Sequence, residues 1–507
     1  MDVDMALLTL GFGCAQVFIT VVCILLSLYV ASEAYIVGYL LVLTSCEFAT
    51  TSGEKTLLAS AAMFGMVVSG FFIGVFSDKY GRKFALLLTM IGSLTFSFIS
   101  SLMPEVYSMA VMRFIVGCFL STPAAVTIGY IMEFFAPKWH ALAVSVQVQG
   151  IALGLFYIPA MGWAILPSHY SLRISSNIEL RTWRFYMWGI TLPGWLAFVG
   201  LFFVPESPYF LMYAQRMEKA TKSLQWVCRL NGKKWDEMNI TLTGQPAGRE
   251  RGTWKESFSE LVRIFKRPVL RNFLICTFYI FGIFFLSVGF GVWYPAIRNE
   301  NSKESKTLCQ IIEAHTVFQK SANKTKPCQD QMTNFLDPMF YALTYALMFL
   351  VVTGLVLCLP RRYVMALHVG VACLLGISLN FIQHPLGVLI AFTLMLVVPG
   401  VLIGLASSAL AGCVPVELRG MALCLARSLS RLGSVVGSTL VGLLMKVSCV
   451  ATLNIFVIYM AAFTFDYSLR SIGSLSSKGI KSHYWTSVYM ISICWVTQQT
   501  VFKLQLT

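Results

Sequence analysis

The feature that most constrains this chain is a succession of apolar runs, each about 20 residues long and so able to cross a bilayer as a helix. They fall near 14–43, 57–76, 84–103, 108–132, 141–165, 185–204, 273–296, 338–359, 363–383, 386–413, 421–445 and 449–465. Backbone amides find no water in hydrocarbon, so apolar segments of this length must bond internally as helices. Only 12% of the residues are charged, where a soluble domain carries about a quarter. The expected fold is an all-α membrane protein with twelve transmembrane helices. The first run is long enough to tilt or break.

A net charge of +15 can signal nucleic acid, but these cations lie between the apolar runs and at their ends. Membrane topology accounts for them, and no nucleic-acid partner is expected. With the N-terminus in the cytoplasm, Lys79, Arg82, Lys83, Lys138, Arg361, Arg362 and Arg419 fall inside, together with the basic segment 206–271. Arg173, Arg181, Arg184 and the lysines of 297–336 fall outside, so the bias favours this orientation without being complete. Asp2 and Asp4 precede a long apolar run with no early Lys or Arg, which argues against a cleavable signal. The 14 cysteines form no CxxC pair and no metal-ligand spacing, so neither a metal nor a cofactor is expected. No nucleophile triad or phosphate loop lies outside the apolar runs, which argues against an enzyme.

Between the second and third runs lies Gly74-Val-Phe-Ser-Asp78-Lys79-Tyr-Gly81-Arg82-Lys83. Gly81 permits a tight reversal because glycine reaches positive φ without steric cost. Asp78, Lys79, Arg82 and Lys83 cannot sit in hydrocarbon, so this stretch is an interfacial hairpin. Lys79 and Lys83 either fix topology or join a gate. Asp78, an acid amid cations at a helix end, calls for a partner: Arg82 or the N-terminus of another helix.

This stretch resembles, without a mismatch, the G-x-x-x-D-[RK]-x-G-R-[RK] signature between helices two and three of major facilitator superfamily transporters. Gly11-Phe12-Gly13-Cys14-Ala15-Gln16 resembles the G-F-G-[KR]-F-Q opening of the synaptic vesicle glycoprotein 2-like branch, with Cys14 in place of the cation. Pro205-Glu206-Ser207-Pro208-Tyr209-Phe210-Leu211 resembles the PESPR[WY]L element of sugar porters, without its arginine. The loop from Glu133 to His140 is similar to their E-x6-R loop, with His140 where arginine is expected. Pro415-Val-Glu417-Leu-Arg419-Gly420 matches P-x-x-x-R-G after helix ten, although Gly412 stands where an acid is expected. The resemblance covers residues 10–465 and includes the organic-ion transporter branch. It implies two six-helix bundles, 1–205 and 272–466, joined by a cytoplasmic linker at 206–271. The loop 297–336 is then extracytoplasmic, and the tail 467–507 has no assigned structure.

Several residues inside the runs are candidates for coupling or substrate contact. Glu33 in the first run either faces a cavity or partner, or sits near the outer water. Arg113 needs a carboxylate, a substrate anion or a route to the outer interface; it matches the start of the superfamily's R-x-x-Q-G motif, with Val116 replacing the glutamine. Gln147 and Gln149 either line a substrate path or bond neighbouring helices. Tyr279, Trp293 and Tyr294 are an aromatic site, or packing and interface anchors. Glu133, His140, Glu206, Glu417 and Arg419 are candidates for a cytoplasmic charge cluster. Gly70-x-x-x-Gly74 and Gly433-x-x-x-Gly437 match in spacing, and the resemblance packs helices two and eleven across the interface between halves.

In the outer loop, Asn323 opens a glycosylation sequon, and Cys309 and Cys328 flank it as a disulfide candidate, with Cys46 as an alternative partner. The resemblance implies a monomeric secondary transporter of a small organic solute, an organic ion or sugar-like, working by alternating access in the lipid bilayer. A proton is the candidate coupling ion, and the plasma membrane or a vesicle membrane is the expected site. Helix seven lacks the Q-Q-x-S-G-x-N pattern of true sugar porters. The alternative is a non-transporting vesicle membrane protein with a regulatory or binding role on the same fold.

Overall fold

A computed structural model describes residues 3–45, 47–168, 171–175, 178–238, 242, 262–266, 269–299, 305–314, 332–414, 419–445, 447–459 and 461. Cys46, Asn323, Cys328 and Glu417 lie outside these residues, as does nearly all of the tail beyond 461. Six helices make the N-terminal half: α1 (Cys14–Leu43), α2 (Ser52–Tyr80), α3 (Arg82–Ser101), α4 (Val106–Met132), α5 (His140–Ile165) and α6 (Thr182–Phe203). Six more make the other: α7 (Val269–Ile297), α8 (Leu336–Cys358), α9 (Arg361–Ser378), α10 (Pro385–Leu410), α11 (Arg419–Leu444) and α12 (Cys449–Tyr459). Eight are long and apolar enough to cross a membrane, and the bent α2 makes nine. The twelve helices expected from the apolar runs are therefore present.

Their boundaries follow local chemistry. Thr51 caps α2 by accepting the Glu54 N–H at 3.4 Å, while Glu54 accepts back from the Thr51 N–H at 2.7 Å. α1 is interrupted at Ile36 and resumes as Val37–Leu43. α7 loosens into a π-turn at Phe284–Phe290, a form found mostly as a short bulge at functional places. Between α5 and α6, Ser171–Ser175 pairs antiparallel with Ile178–Arg181. The linker forms an amphipathic helix, Met217–Leu230, that buries Ala220, Leu224, Val227 and Cys228. Asn231 then ties it to α1, accepting from the Ala15 N–H at 3.0 Å and donating to Gln16 at 3.1 Å.

Small residues set the helix contacts, as expected where lipid removes the hydrophobic drive between helices. A Cβ on Gly117 of α4 would sit 1.9 Å from the Ala62 carbonyl oxygen of α2, and one on Gly65 of α2 would sit 2.0 Å from that of Phe114. Gly150 and Gly154 bring α5 against α1, where a Cβ on either would sit 2.6 Å from the carbonyl oxygen of Ile24 or Leu28. Across the halves, Gly70 and Gly74 of α2 face Ser428 and Cys424 of α11. The matched stripe on α11 corrects the expectation in part. α2 and α11 do pack together, but Gly433 and Gly437 turn away from α2 toward Phe281, Phe285 and Gly289 of α7.

Candidate functional site

Polar structure concentrates at three levels. At the inner end, the turn between α2 and α3 is made by Gly81 at φ +113°, a conformation that favours glycine. A Cβ there would also lie 2.4 Å from Glu206 Oε2. Glu206 uses both carboxylate oxygens to cap α3, accepting from the N–H of Lys83 at 2.9 Å and of Phe84 at 3.4 Å. An anion belongs there, because the first N–H groups of a helix have no partners within it. Arg82 donates to Asp78, to Ser77 Oγ at 2.9 Å, and to Glu133 at 3.3 Å. Asp78 thus takes Arg82 as its partner, while staying near Cys424 in the early turns of α11. Burial pushes the Glu133 carboxyl up, against the pull of Arg82. Lys83 Nζ donates to the Phe202 carbonyl at 3.0 Å, and Lys79 lies exposed beside the Tyr80 ring.

The expected charge cluster is smaller than proposed. His140 bonds the Phe135 carbonyl at 2.8 Å and meets no acid there. Of Arg419, the backbone alone is described, as the first residue of α11. Glu133, Glu206, Asp78 and Arg82 are what the structure brings together.

At membrane depth in the N-terminal half, Glu33 and Arg113 meet at 2.5 Å with both side chains fully buried. Ser97 of α3 donates to the other carboxylate oxygen at 2.7 Å, and Arg113 approaches Met187 Sδ of α6 at 3.8 Å. Arg113 Nε is buried without a partner. Each residue's open alternatives close on the other: Glu33 is not at the outer water, and Arg113 does not snorkel. Gln147 donates to Ser27 Oγ of α1, which makes it a helix-bonding amide; Gln149 is half-buried.

The proposed aromatic site is not formed by the residues named. Trp293 donates to the Ser438 carbonyl of α11 at 3.0 Å, while Tyr294 bonds Thr393 at 2.8 Å and stacks on Phe392. Tyr279 is buried nearer the inner end of α7. A different set converges at the outer seam: Tyr35 and Tyr39 of α1, Tyr294 of α7, and Tyr341 and Tyr345 of α8. The Tyr341 ring lies tilted against Tyr294, with centroids 4.7 Å apart, and its buried hydroxyl has no partner among the described residues. Above them the halves close on each other, where a Cβ on Gly38 of α1 would lie 2.2 Å from the Val292 carbonyl of α7.

The outer end holds further pairs that sequence reasoning missed. Arg184 meets Glu47 at 2.6 Å, and Arg298 meets Asp337 at 2.6 Å. Cys309 forms its disulfide with Cys449, not with Cys328. The reason is spatial: the loop helix Leu308–Ala314 packs its buried Leu308 and Ile312 into the bundle and brings Cys309 to the start of α12. Cys449 opens the last apolar run, far from Cys309 in the sequence.

Two six-helix bundles meeting along α2–α11 and α5–α8, with an intramembrane ion pair in one of them, define a polytopic α-helical membrane protein. A family model for the Major Facilitator Superfamily matches residues 8–311, and the chain belongs to that superfamily. Among known proteins, mouse synaptic vesicle glycoprotein 2C is 26% identical over 319 residues, covering 58% of this chain and 44% of the relative. Human synaptic vesicle glycoprotein 2B is 25% identical over 321 residues, covering 58% and 47%. The chain thus spans about half the length of the relatives it matches. Among solved structures, the partially occluded inward-open xylose transporter XylE from E. coli superposes with a TM-score of 0.64 at 15% identity, covering 91% of this chain and 98% of that one. The proton:xylose symporter XylE bound to 6-bromo-6-deoxy-D-glucose superposes with a TM-score of 0.62 at 16% identity, covering 91% and 96%. These structures share the fold. The protein is a multi-pass integral membrane protein of this superfamily.

Proposed function

We propose that the protein is a secondary active transporter that moves a small organic solute by alternating access, with a proton carried on Glu33. The observation behind this is the fully buried Glu33–Arg113 pair. Two charges at this depth are expensive to desolvate and offset that expense only while paired. Protonating Glu33 removes the negative partner and leaves Arg113 uncompensated. The pair also sits at a mechanical junction. Glu33 precedes the break at Ile36, and Gly38, which seals α1 against α7, follows it. A change in the hold on α1 is therefore transmitted to the outer seam. At the other end, Asp78, Arg82, Glu133 and Glu206 stiffen the hairpin that meets α11, which serves as an inner gate. That a structural neighbour is a proton:xylose symporter supports the proton as coupling ion.

The test is uptake of labelled organic ions and hexoses into liposomes holding the purified chain, with and without a proton gradient. Gradient-driven uptake that is lost in Glu33→Gln is the expected result. Uptake that survives the substitution places coupling elsewhere. No uptake by folded protein favours the second reading, a non-transporting vesicle membrane protein, which the synaptic vesicle relatives support.

A further inference from the structure

α11 carries Arg427 and Arg431 one turn apart, on a single face of the helix. That face looks at α2. A Cβ on Gly70 would sit 2.4 Å from Ser428 Oγ and 3.8 Å from Arg431 Nη1, and one on Gly74 would sit 3.4 Å from Cys424 Sγ. Gly70 leaves the room in which the Arg431 guanidinium lies. Arg431 is 8% exposed, and among the described residues neither guanidinium makes a hydrogen bond or an ion pair. The charges in reach are the arginines themselves and, beyond Cys424, the Asp78–Arg82 pair, whose acid already has its cation. No described carboxylate faces them.

Arginine keeps its charge at any working pH, so neutralisation offers no relief. An unpaired guanidinium at membrane depth belongs where an anion arrives. Arg431 lies one helical turn and more beyond Cys424, the level of the interfacial Asp78, which is about 10 Å deeper at the rise of an α-helix. With a hydrocarbon half-thickness of about 15 Å, this places Arg431 inside the hydrocarbon level rather than among the headgroups. Two guanidinium forks a turn apart suit a planar or tetrahedral oxyanion held by several N–H donors.

We propose that Arg427 and Arg431 form an anion site on the seam between the two halves, taking the carboxylate or phosphate of a small organic anion as the transported solute; this rests on the transport reading above. Because the site lies between α2 and α11, its occupant touches both halves and leaves when they part.

The experiment uses the full chain in nanodiscs of phosphatidylcholine alone. Its thermal midpoint is followed with benzoate, phenyl phosphate and the neutral isostere benzamide. At least one of the two anions raises the midpoint at concentrations where benzamide does not. Arg431→Gln and Arg427→Gln each need at least tenfold more anion for the same shift. Arg431→Lys keeps a measurable response and shows that the site, not folding, was lost; Arg361→Gln responds as the wild type does. The proposal is overturned if neither anion outperforms benzamide, or if Arg431→Gln responds normally. It is also overturned if adding phosphatidylserine abolishes the response, which would assign the site to lipid. Anion binding without gradient-driven uptake would sink the transport reading and leave the site. Uptake of a neutral solute with no anion response would do the reverse.

Discussion

Arg113 in α4 and Arg431 in α11 are both buried at membrane depth, one 0% and the other 8% exposed. Arg113 meets Glu33 at 2.5 Å, and Ser97 completes the same carboxylate. Arg431 lies against Gly70 within electrostatic reach of a second arginine. Around Arg113 the charges cancel, and around Arg431 they add. A closed pair changes state when a proton is added to its acid. An open pair changes state when a counter-ion arrives from outside. In the transporter proposed above, the two sites are separate handles, one for a coupling ion and one for a solute, and the difference lies in whether an acid stands opposite the arginine.

The largest expected effect comes from breaking the closed pair. Arg113→Met strands a fully buried carboxylate and costs about 3–5 kcal/mol, the range for removing one partner of a buried ion pair. The measurement is the thermal midpoint by size-exclusion chromatography after heating. The double variant Glu33→Leu with Arg113→Met recovers most of the loss, because no charge is left unpaired. A single variant that falls no further than the double would mean that the pair is not closed in the membrane.

The same contrast holds at the inner ends, where the third helix of each half begins. α3 starts at a glycine turn capped by Glu206, whereas α9 starts after Pro360 with no side-chain cap. Gly81→Ala forces a Cβ into positive φ and against Glu206, at about 1–3 kcal/mol for a strained backbone position. Glu206→Ala leaves the fold in place and removes the cap, at about 1 kcal/mol. Hydrogen exchange at the amides of Lys83 and Phe84 reads this directly. Faster exchange confined to the first turn of α3 is expected, with α9 unchanged. Unaltered protection at Lys83 would show that the carboxylate is not the cap.

Much of this was legible from residues alone. The stretch from Gly74 to Lys83 announced its place because its charges cannot share hydrocarbon with the runs around them. Glu33 and Arg113 each stood out as expensive, but their pairing joins residues 80 apart in the chain, and nothing local encodes which acid an arginine will meet. The disulfide failed for the same reason. Cys309 and Cys449 are separated by 140 residues, and proximity within one loop pointed to Cys328 instead. Arg427 and Arg431 lie inside the eleventh run, four residues apart, and are passed over in the sequence because that run is apolar as a whole. Nor could the sequence show that α11 turns its glycines to α7 and Arg431 to α2. The aromatic residues Trp293 and Tyr294 misled because neighbours on a helix point in different directions, here to α11 and to α10.

The smallest effect has the opposite sign, and it decides between the two descriptions of buried arginine. Arg431→Met removes a cation that has no described acid to strand and substitutes a flexible apolar side chain of similar length. Replacing buried charge by well-fitting apolar side chains is often neutral or stabilising. The expected change is a rise of about 1 kcal/mol or less in the absence of any anion, read as a higher thermal midpoint under the conditions that collapse Arg113→Met. The same variant responds to neither benzoate nor phenyl phosphate. A stability gain joined to a lost response is the signature of a residue kept for its ligand at the expense of the fold. If Arg431→Met instead falls as far as Arg113→Met, then α11 hides a structural partner for its arginine, and the two halves bury charge in the same way.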